Sequence, residues 1–204
     1  MRLYEFNHQL QELSYTDPGI RQHLIKLGYK PAGEGGDQTT WIAPDGGILK
    51  IFGTQEGQQG MTADHQMFAT WAKYCKANSN NPYIPKYSGW KEFEFPQGSG
   101  QTYLQIKMEK LSPINNQTVE AILDNLKWCV ERGQTFDELK SILTKKYGNK
   151  ILQSPLLVNT SLWDIVTKIN GIGVKHGWGL DLHAENYMMR GNQVVIVDPW
   201  VASS

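Results

Sequence analysis

The stretch from Val174 to Ser204, VKHGWGLDLHAENYMMRGNQVVIVDPWVASS, constrains this chain more than any other. Gly191-Asn192 separates two short runs, Tyr187-Met188-Met189-Arg190 and Val194-Val195-Ile196-Val197. Two extended runs joined by such a pair predict a tight β-hairpin, because the turn needs residues that accept a positive φ. Pro199 biases the residue before it, Asp198, towards extended backbone. The hairpin thus brings Asn186, entering one strand, near Asp198, leaving the other. An amide oxygen beside a carboxylate forms a hard-oxygen pair that suits Mg²⁺. Asp181 to Asn186 reads as a tight loop, so Asp181 is positioned across the same pocket as a proton acceptor.

With 204 residues the chain is long enough for one ordinary domain or two small lobes. Twenty basic and twenty acidic residues cancel. That balance argues against a nucleic-acid footprint or an anionic membrane surface as partner. No apolar run reaches the length of a membrane span, and Met1-Arg2-Leu3-Tyr4-Glu5 does not read as a signal peptide. Cys75 and Cys129 fall in separate helical patterns and read as buried thiols, which fits a cytoplasmic protein. His183, His176 and His8 lack the spacing of a zinc site.

Upstream of the hairpin the pattern changes once. Leu3, Phe6, Leu10 and Leu13 recur at helical spacing. Asp17-Pro18 starts a second helix that Gly28 ends. Thr39–Ile42 and Ile48–Phe52 read as strands of a meander, with a glycine-rich turn, Gly33-Glu34-Gly35-Gly36, near its start. Met61 to Ala77 is a helix with Met67, Phe68, Trp71 and Cys75 on one face. Ile84–Trp90 and Tyr103–Met108 are further strands, turning through Gly98-Ser99-Gly100. In the second, Leu104, Ile106 and Met108 point inward and Tyr103, Gln105 and Lys107 outward. Leu111-Ser112-Pro113 reads as a linker, dividing the chain into 1–110 and 111–204. Beyond it come helical stripes: Val119, Ile122, Leu123, Leu126 and Val130, then Phe136, Leu139, Ile142 and Leu143. A third helix is capped by Ser161. Lys50 interrupts an apolar strand. It either protects a sheet edge or points into a cleft, and by itself the edge reading is the commoner one.

Asp181, Asn186 and Asp198 together resemble the catalytic and metal loops of the protein kinase-like superfamily, H-R-D-x-x-x-x-N followed about a dozen residues later by D-F-G. The form Asp181-Leu182-His183-x-x-Asn186 is closest to aminoglycoside phosphotransferases and other small-molecule kinases. It is also similar to short kinase-like proteins of tailed bacteriophages, which would place the protein in a host cytoplasm. Gly179-Leu180 replaces the His-Arg pair, and Pro199-Trp200 replaces Phe-Gly.

The resemblance implies an α+β, bilobal fold with a strand-rich N-terminal lobe and a truncated helical C-terminal lobe. It implies ATP and Mg²⁺ as cofactors, with Asn186 and Asp198 as metal ligands and Asp181 as the catalytic base. His183 would touch the transferred phosphoryl group. Lys50 would contact the α- and β-phosphates beneath a lid containing Gly35 and Gly36. Asp64 would pair with that lysine, with Gln66 as the substitute. Met108-Glu109-Lys110-Leu111 resembles a hinge, with Met108 behind the adenine and backbone groups of Glu109 and Leu111 holding it. The hydroxyl acceptor is unidentified, and after Asp198 only six residues follow. The helices from Thr118 to Tyr147 are therefore expected to supply the acceptor site. The alternative is a pseudokinase-type module that binds nucleotide or a protein partner without transfer.

Overall fold

The computed structural model describes residues 22, 24–35, 38–52, 63–94, 102–183 and 186–202. The expected helix over Leu3–Leu13, the Asp17-Pro18 helix start, Gly36, Met61 and the Gly98–Gly100 turn lie outside the described residues. Mixed helix and antiparallel sheet make the fold α+β, strand-rich first and helical afterwards. Two compact units are present: Met1–Ser79 with Lys86–Lys110, and Asn80–Pro85 with Leu111–Ser204.

The first unit is built on a five-stranded antiparallel sheet. Its strands are β1 (Lys30–Gly35), β2 (Gln38–Ile42), β3 (Ile48–Phe52), β4 (Tyr87–Glu94) and β5 (Thr102–Met108). Their spatial order is β1-β2-β3-β5-β4. Gly33 to Gly35 belong to β1, so the glycine cluster is strand and hairpin end rather than a separate turn; Gly35 faces Gln38 across the ladder. Pro31 is accommodated because β1 is an edge strand and a bulge follows at Gly33. β4 begins at Tyr87, not Ile84, since Pro85 has no N–H to give a ladder.

Cross-strand partners share a face. On one face Phe52, Leu104 and Ile106 pack against Phe68, Ala69 and Ala72 of helix α1 (Ala63–Ala77). Phe52 and Phe68 meet with ring centroids 4.1 Å apart. The opposite face carries Trp41, Leu49 and Ile51, covered by Leu24 from a helical turn that Gly28 closes with φ +83°. Gln105 pairs with Ile51 on that covered face and is only 3% exposed, so its expected outward position is corrected. An alternating strand reads as half-solvated, and the sequence cannot display a second covering layer.

In the second unit, helices α2 (Gln117–Glu131), α3 (Phe136–Tyr147) and α4 (Ser161–His176) contribute the apolar stripes. Ile122, Leu123, Leu126, Leu139, Leu143, Ile165 and Ile169 are buried. α2 is capped by Asn116, which accepts from the Thr118 and Val119 amides. Thr135 and Glu138 form a reciprocal capping box on α3. The cap position of α4 is Thr160 rather than Ser161, and its hydroxyl donates to Asp164 at 2.7 Å.

Leu111-Ser112-Pro113 is not a free linker. Ser112–Pro113 forms β6, which pairs with β8 (Tyr187–Arg190). β8 in turn pairs with β9 (Gln193–Ile196) around Gly191 at φ +58°. β7 (Trp178–Leu180) pairs with β10 (Trp200–Ala202). Segment 80–85 joins this unit because Arg190 donates to the carbonyls of Pro82 (3.1 Å) and Ile84 (2.8 Å). The Ile196 amide adds a bond to the Tyr83 carbonyl. Cys75 and Cys129 are buried free thiols, and burial pushes both thiols up. Among the described residues no helix is long and apolar enough to cross a membrane.

Candidate active site

In the second unit, Asp181, His183, Asn186 and Asp198 converge at the end of the hairpin. Gly177 ends α4 with φ +73°, and β7 then delivers Asp181 at its end. The Asp181 amide donates to the Pro199 carbonyl at 2.8 Å. The Val197 amide donates to the Asn186 carbonyl at 2.9 Å. Asp198 therefore sits between two backbone bonds, one made by each neighbour. These bonds fix its backbone beside both Asn186 and Asp181.

Asn186 is 8% exposed, so its amide must be satisfied within the protein. Its Nδ2 lies 2.6 Å from the Asp181 carbonyl and 3.2 Å from Asp181 Oδ2. His183 Nε2 stands 3.1 Å away. An amide oxygen in this position would confront two oxygens, so nitrogen belongs here. The NH₂ group has two protons for three neighbours, and the short carbonyl bond claims one of them. With Nδ2 turned to Asp181, Oδ1 is the side-chain atom with cation-binding capacity. The loop closes on itself through the Asn186 amide, which donates to the His183 carbonyl at 2.9 Å.

Asp181 is one-third exposed and His183 about half exposed at the side chain (34% and 49%), and His183 Nε2 lies 3.6 Å from Asp181 Oδ2. Asp198 is half-buried. This combination of a half-open carboxylate, an oriented amide and a second carboxylate on a fixed backbone meets the donor requirement for Mg²⁺, which takes oxygen ligands and keeps several waters. Among the described residues no group of three or more histidine, cysteine or acidic side chains is placed to hold a metal ion together. Next to Asn186, the Tyr187 side chain is buried, and burial pushes its phenol up, with Asp124 adding to the effect.

In the first unit, Lys50 occupies an internal strand, with Thr40 of β2 on one side and Ile106 of β5 on the other. The edge-protection reading is thereby excluded, because β3 has no open edge along this run. Lys50 is half-buried on the α1 face, its Nζ 5.4 Å from the centre of the Phe68 ring. A cation over an aromatic face is stabilised by the ring quadrupole. Asp64 lies in the first turn of α1, four residues before Phe68; Gln66 is exposed. Gly35 ends β1.

Met108 is buried at the end of β5. Glu109 is tied to Lys86 twice: its amide donates to the Lys86 carbonyl (3.0 Å) and its Oε1 accepts from the Lys86 amide (2.7 Å). Leu111 is buried in the second unit. A shallow pocket of about 400 Å³ in the first unit is lined by Asp45, Gly47, Lys86, Lys107, Met108 and Glu109 among others. Within its lining Lys107 Nζ meets Asp45 Oδ2 at 2.5 Å. Lys50 is absent from its lining.

What the sequence reading missed is the β7–β10 pairing and the Asp181–Pro199 bond. Each strand has three residues, too few for a period to register. The one available signal was a tryptophan in each, Trp178 and Trp200.

No protein-family model matches the chain, and no curated protein matches it. Among solved structures it is similar to the ADP-bound aminoglycoside phosphotransferase APH(2'')-Ib, with 16% identity, a TM-score of 0.39, and coverage of 91% of this chain and 72% of that one. It is similar to the streptomycin-ATP-APH(2'')-IIa ternary complex at 14% identity and TM-score 0.34, covering 93% and 74%. A third likeness is to a protein described as a fructosamine-3-kinase from Haemophilus somnus 129PT, at 12% identity and TM-score 0.35, covering 89% and 72%.

Proposed function

We propose that this protein is a kinase-like phosphotransferase that moves the γ-phosphoryl group of ATP to a hydroxyl acceptor. The observation that carries the reading is the bonding around Asp181: Asn186 Nδ2 on its carbonyl and carboxylate, and its own amide on Pro199 beside Asp198. Such bonding fixes the Asp181 carboxylate against the Asn186 amide and holds the Asp198 backbone beside them, and phosphoryl transfer is catalysed mainly by positioning and charge stabilisation.

The roles follow from the residue types. Asp181 accepts the proton of the attacking hydroxyl as its oxygen bonds to phosphorus and the bond to the ADP oxygen breaks. Asn186 and Asp198 hold Mg²⁺, which when bound neutralises phosphate charge. Lys50 is the phosphate cation, and its central strand and the Phe68 ring restrict its reach. His183 lies near enough to Asp181 to address the same phosphoryl oxygens. Asp64 is proposed as the lysine's carboxylate, Gly35 and Gly36 as the phosphate lid, and Met108, Glu109 and Leu111 as the purine contacts. A cytoplasmic setting, with ATP and a small-molecule acceptor rather than nucleic acid as partners, completes the proposal.

Thermal unfolding tests it. ATP with Mg²⁺ is expected to raise the melting temperature, and ATP with chelator to raise it far less. A specific site contributes about 2.7 kcal/mol at a hundred times Kd. Asp198→Asn keeps shape while removing the carboxylate charge; it is expected to erase the Mg²⁺-dependent part and leave the ligand-free melt nearly unchanged. A melt broadened by the substitution, with the Mg²⁺ response intact, overturns the assignment. Binding without transfer of label from γ-labelled ATP to any small-molecule or protein fraction establishes a non-catalytic module instead.

A further inference from the structure

The segment after Asp198 is anchored far more heavily than a loop end requires. Trp200 is 3% exposed. Its indole Nε1 donates to the Ile169 carbonyl, inside α4, at 3.1 Å. That carbonyl belongs to the helix ladder, and a carbonyl has two lone pairs, so the indole takes the one the ladder leaves. The approach needs a gap in the helix surface, and Gly173 provides it. A Cβ there would fall 2.9 Å from Trp200 Nε1 and 3.0 Å from the Trp178 carbonyl. Glycine weakens a helix interior, so its place here is explained by the indole. Gly171, two residues earlier, meets no such neighbour. The Trp178 ring packs on Trp200 at 5.4 Å and stacks on His176 at 4.4 Å. Backbone pairing of Trp200 with Leu180 joins the anchored residue to the one before Asp181.

We infer that Trp200 and Gly173 are positioning residues for Asp198, a lock that holds the metal-ligating segment in one conformation against α4. The inference rests on the functional reading above. Asp198 is two residues from the locked indole, and only Pro199 lies between. Pro199 has a fixed φ and its carbonyl is held by Asp181, so little rotational freedom remains to separate the two. The indole touches neither metal nor nucleotide. It acts through the backbone, as outer-shell groups do when they set the orientation of a ligand.

The test compares wild type, Trp200→Phe, Gly173→Ala and the double variant. Trp200→Phe keeps an aromatic ring and loses the donor to Ile169. Gly173→Ala inserts the obstructing methyl group. Mn²⁺ is the probe, titrated by electron paramagnetic resonance at saturating ADP, with metal-free ADP binding measured by calorimetry. Hydrogen exchange of the Asp181 and Val197 amides reports on the segment without any ligand. The lock predicts Mn²⁺ affinity falling about tenfold or more in each single variant, the range seen when outer-shell support is removed. Metal-free ADP binding stays unchanged, and both amides exchange faster. The smaller phenyl ring makes room for the new methyl, so the double variant loses less than the product of the two single losses. If Gly173→Ala does not fold, Trp200→Phe decides alone. Lower thermal stability with unchanged Mn²⁺ affinity would reduce Trp200 to core packing and overturn the inference. Absence of Mn²⁺–ADP binding in the wild type itself overturns the functional reading, and with it the lock.

Discussion

Asp181 is the residue whose surroundings are most completely specified. Its carbonyl, carboxylate and amide all have named partners, in Asn186 and Pro199. Asp181→Ala removes the carboxylate but leaves both backbone bonds able to form. Nucleotide binding is therefore expected to persist while transfer slows by roughly 10²–10⁴, the usual worth of a positioned general base. Single-turnover phosphotransfer checks it; undiminished transfer would mean that Asp181 serves only to shape the loop. Lys50 is a different case, a cation on an internal strand with an aromatic ring at 5.4 Å. Lys50→Met preserves the aliphatic stem and the packing on Phe68 while deleting the charge. ATP affinity is expected to drop far more than adenosine affinity by calorimetry. Equal losses would place the ammonium away from phosphate.

Among the elements, α3 offers the clearest electrostatic test. Thr135 and Glu138 cap its first turn reciprocally at 2.7 Å and 3.3 Å. The Thr135 backbone amide, and then its hydroxyl, hold the Glu138 carboxyl below the ordinary 4.5. The bonds exist for the ionised form, so the folded state binds the proton more weakly than the unfolded chain. Their contribution is complete above the ordinary glutamate range and is lost as pH falls through the lowered folded value. NMR titration is expected to show Glu138 titrating below its ordinary value in the wild type. In Thr135→Ala it is expected to move back towards that value, with fraying at the first turn of α3. An unmoved Glu138 titration would show that the bonds to Thr135 are not its cause.

At the scale of the whole molecule, the chain passes from one unit to the other between 79 and 80, returns after 85, and leaves again after 110. The six residues Asn80–Pro85 belong to the second unit although both flanks belong to the first. Arg190 holds them by two charge-assisted bonds to backbone carbonyls. Arg190→Leu leaves those acceptors without their donor and is expected to cost roughly 2 kcal/mol. The loss should appear as faster exchange of the Ile196 amide, which bonds to Tyr83 within that segment. Protection at Ile196 equal to wild type would show that other contacts suffice to seat it.

The sequence by itself determined the local elements and the candidate chemistry. Gly191-Asn192 between two apolar runs dictated the hairpin, and the five-residue step from Asp181 to Asn186 dictated a loop short enough to close on itself. The stripe from Ile122 to Val130 dictated a helix with a buried face. Those features depend on residues close in sequence, where spacing and turn chemistry are sufficient. Tertiary structure alone decided what depends on a partner. β3 is central because β5 inserts beside it, which turned Lys50 from a plausible edge guard into an internal cation. Gln105 is buried because Leu24, eighty-one positions away, belongs to the layer covering its face. Ser112–Pro113 is a strand because β8 offers it a ladder. Trp200 packs into α4 because a glycine twenty-seven residues earlier leaves room for an indole. The physical reason is common to all four: hydrogen bonds and van der Waals contacts between distant segments depend on which surfaces meet, and no local period records that.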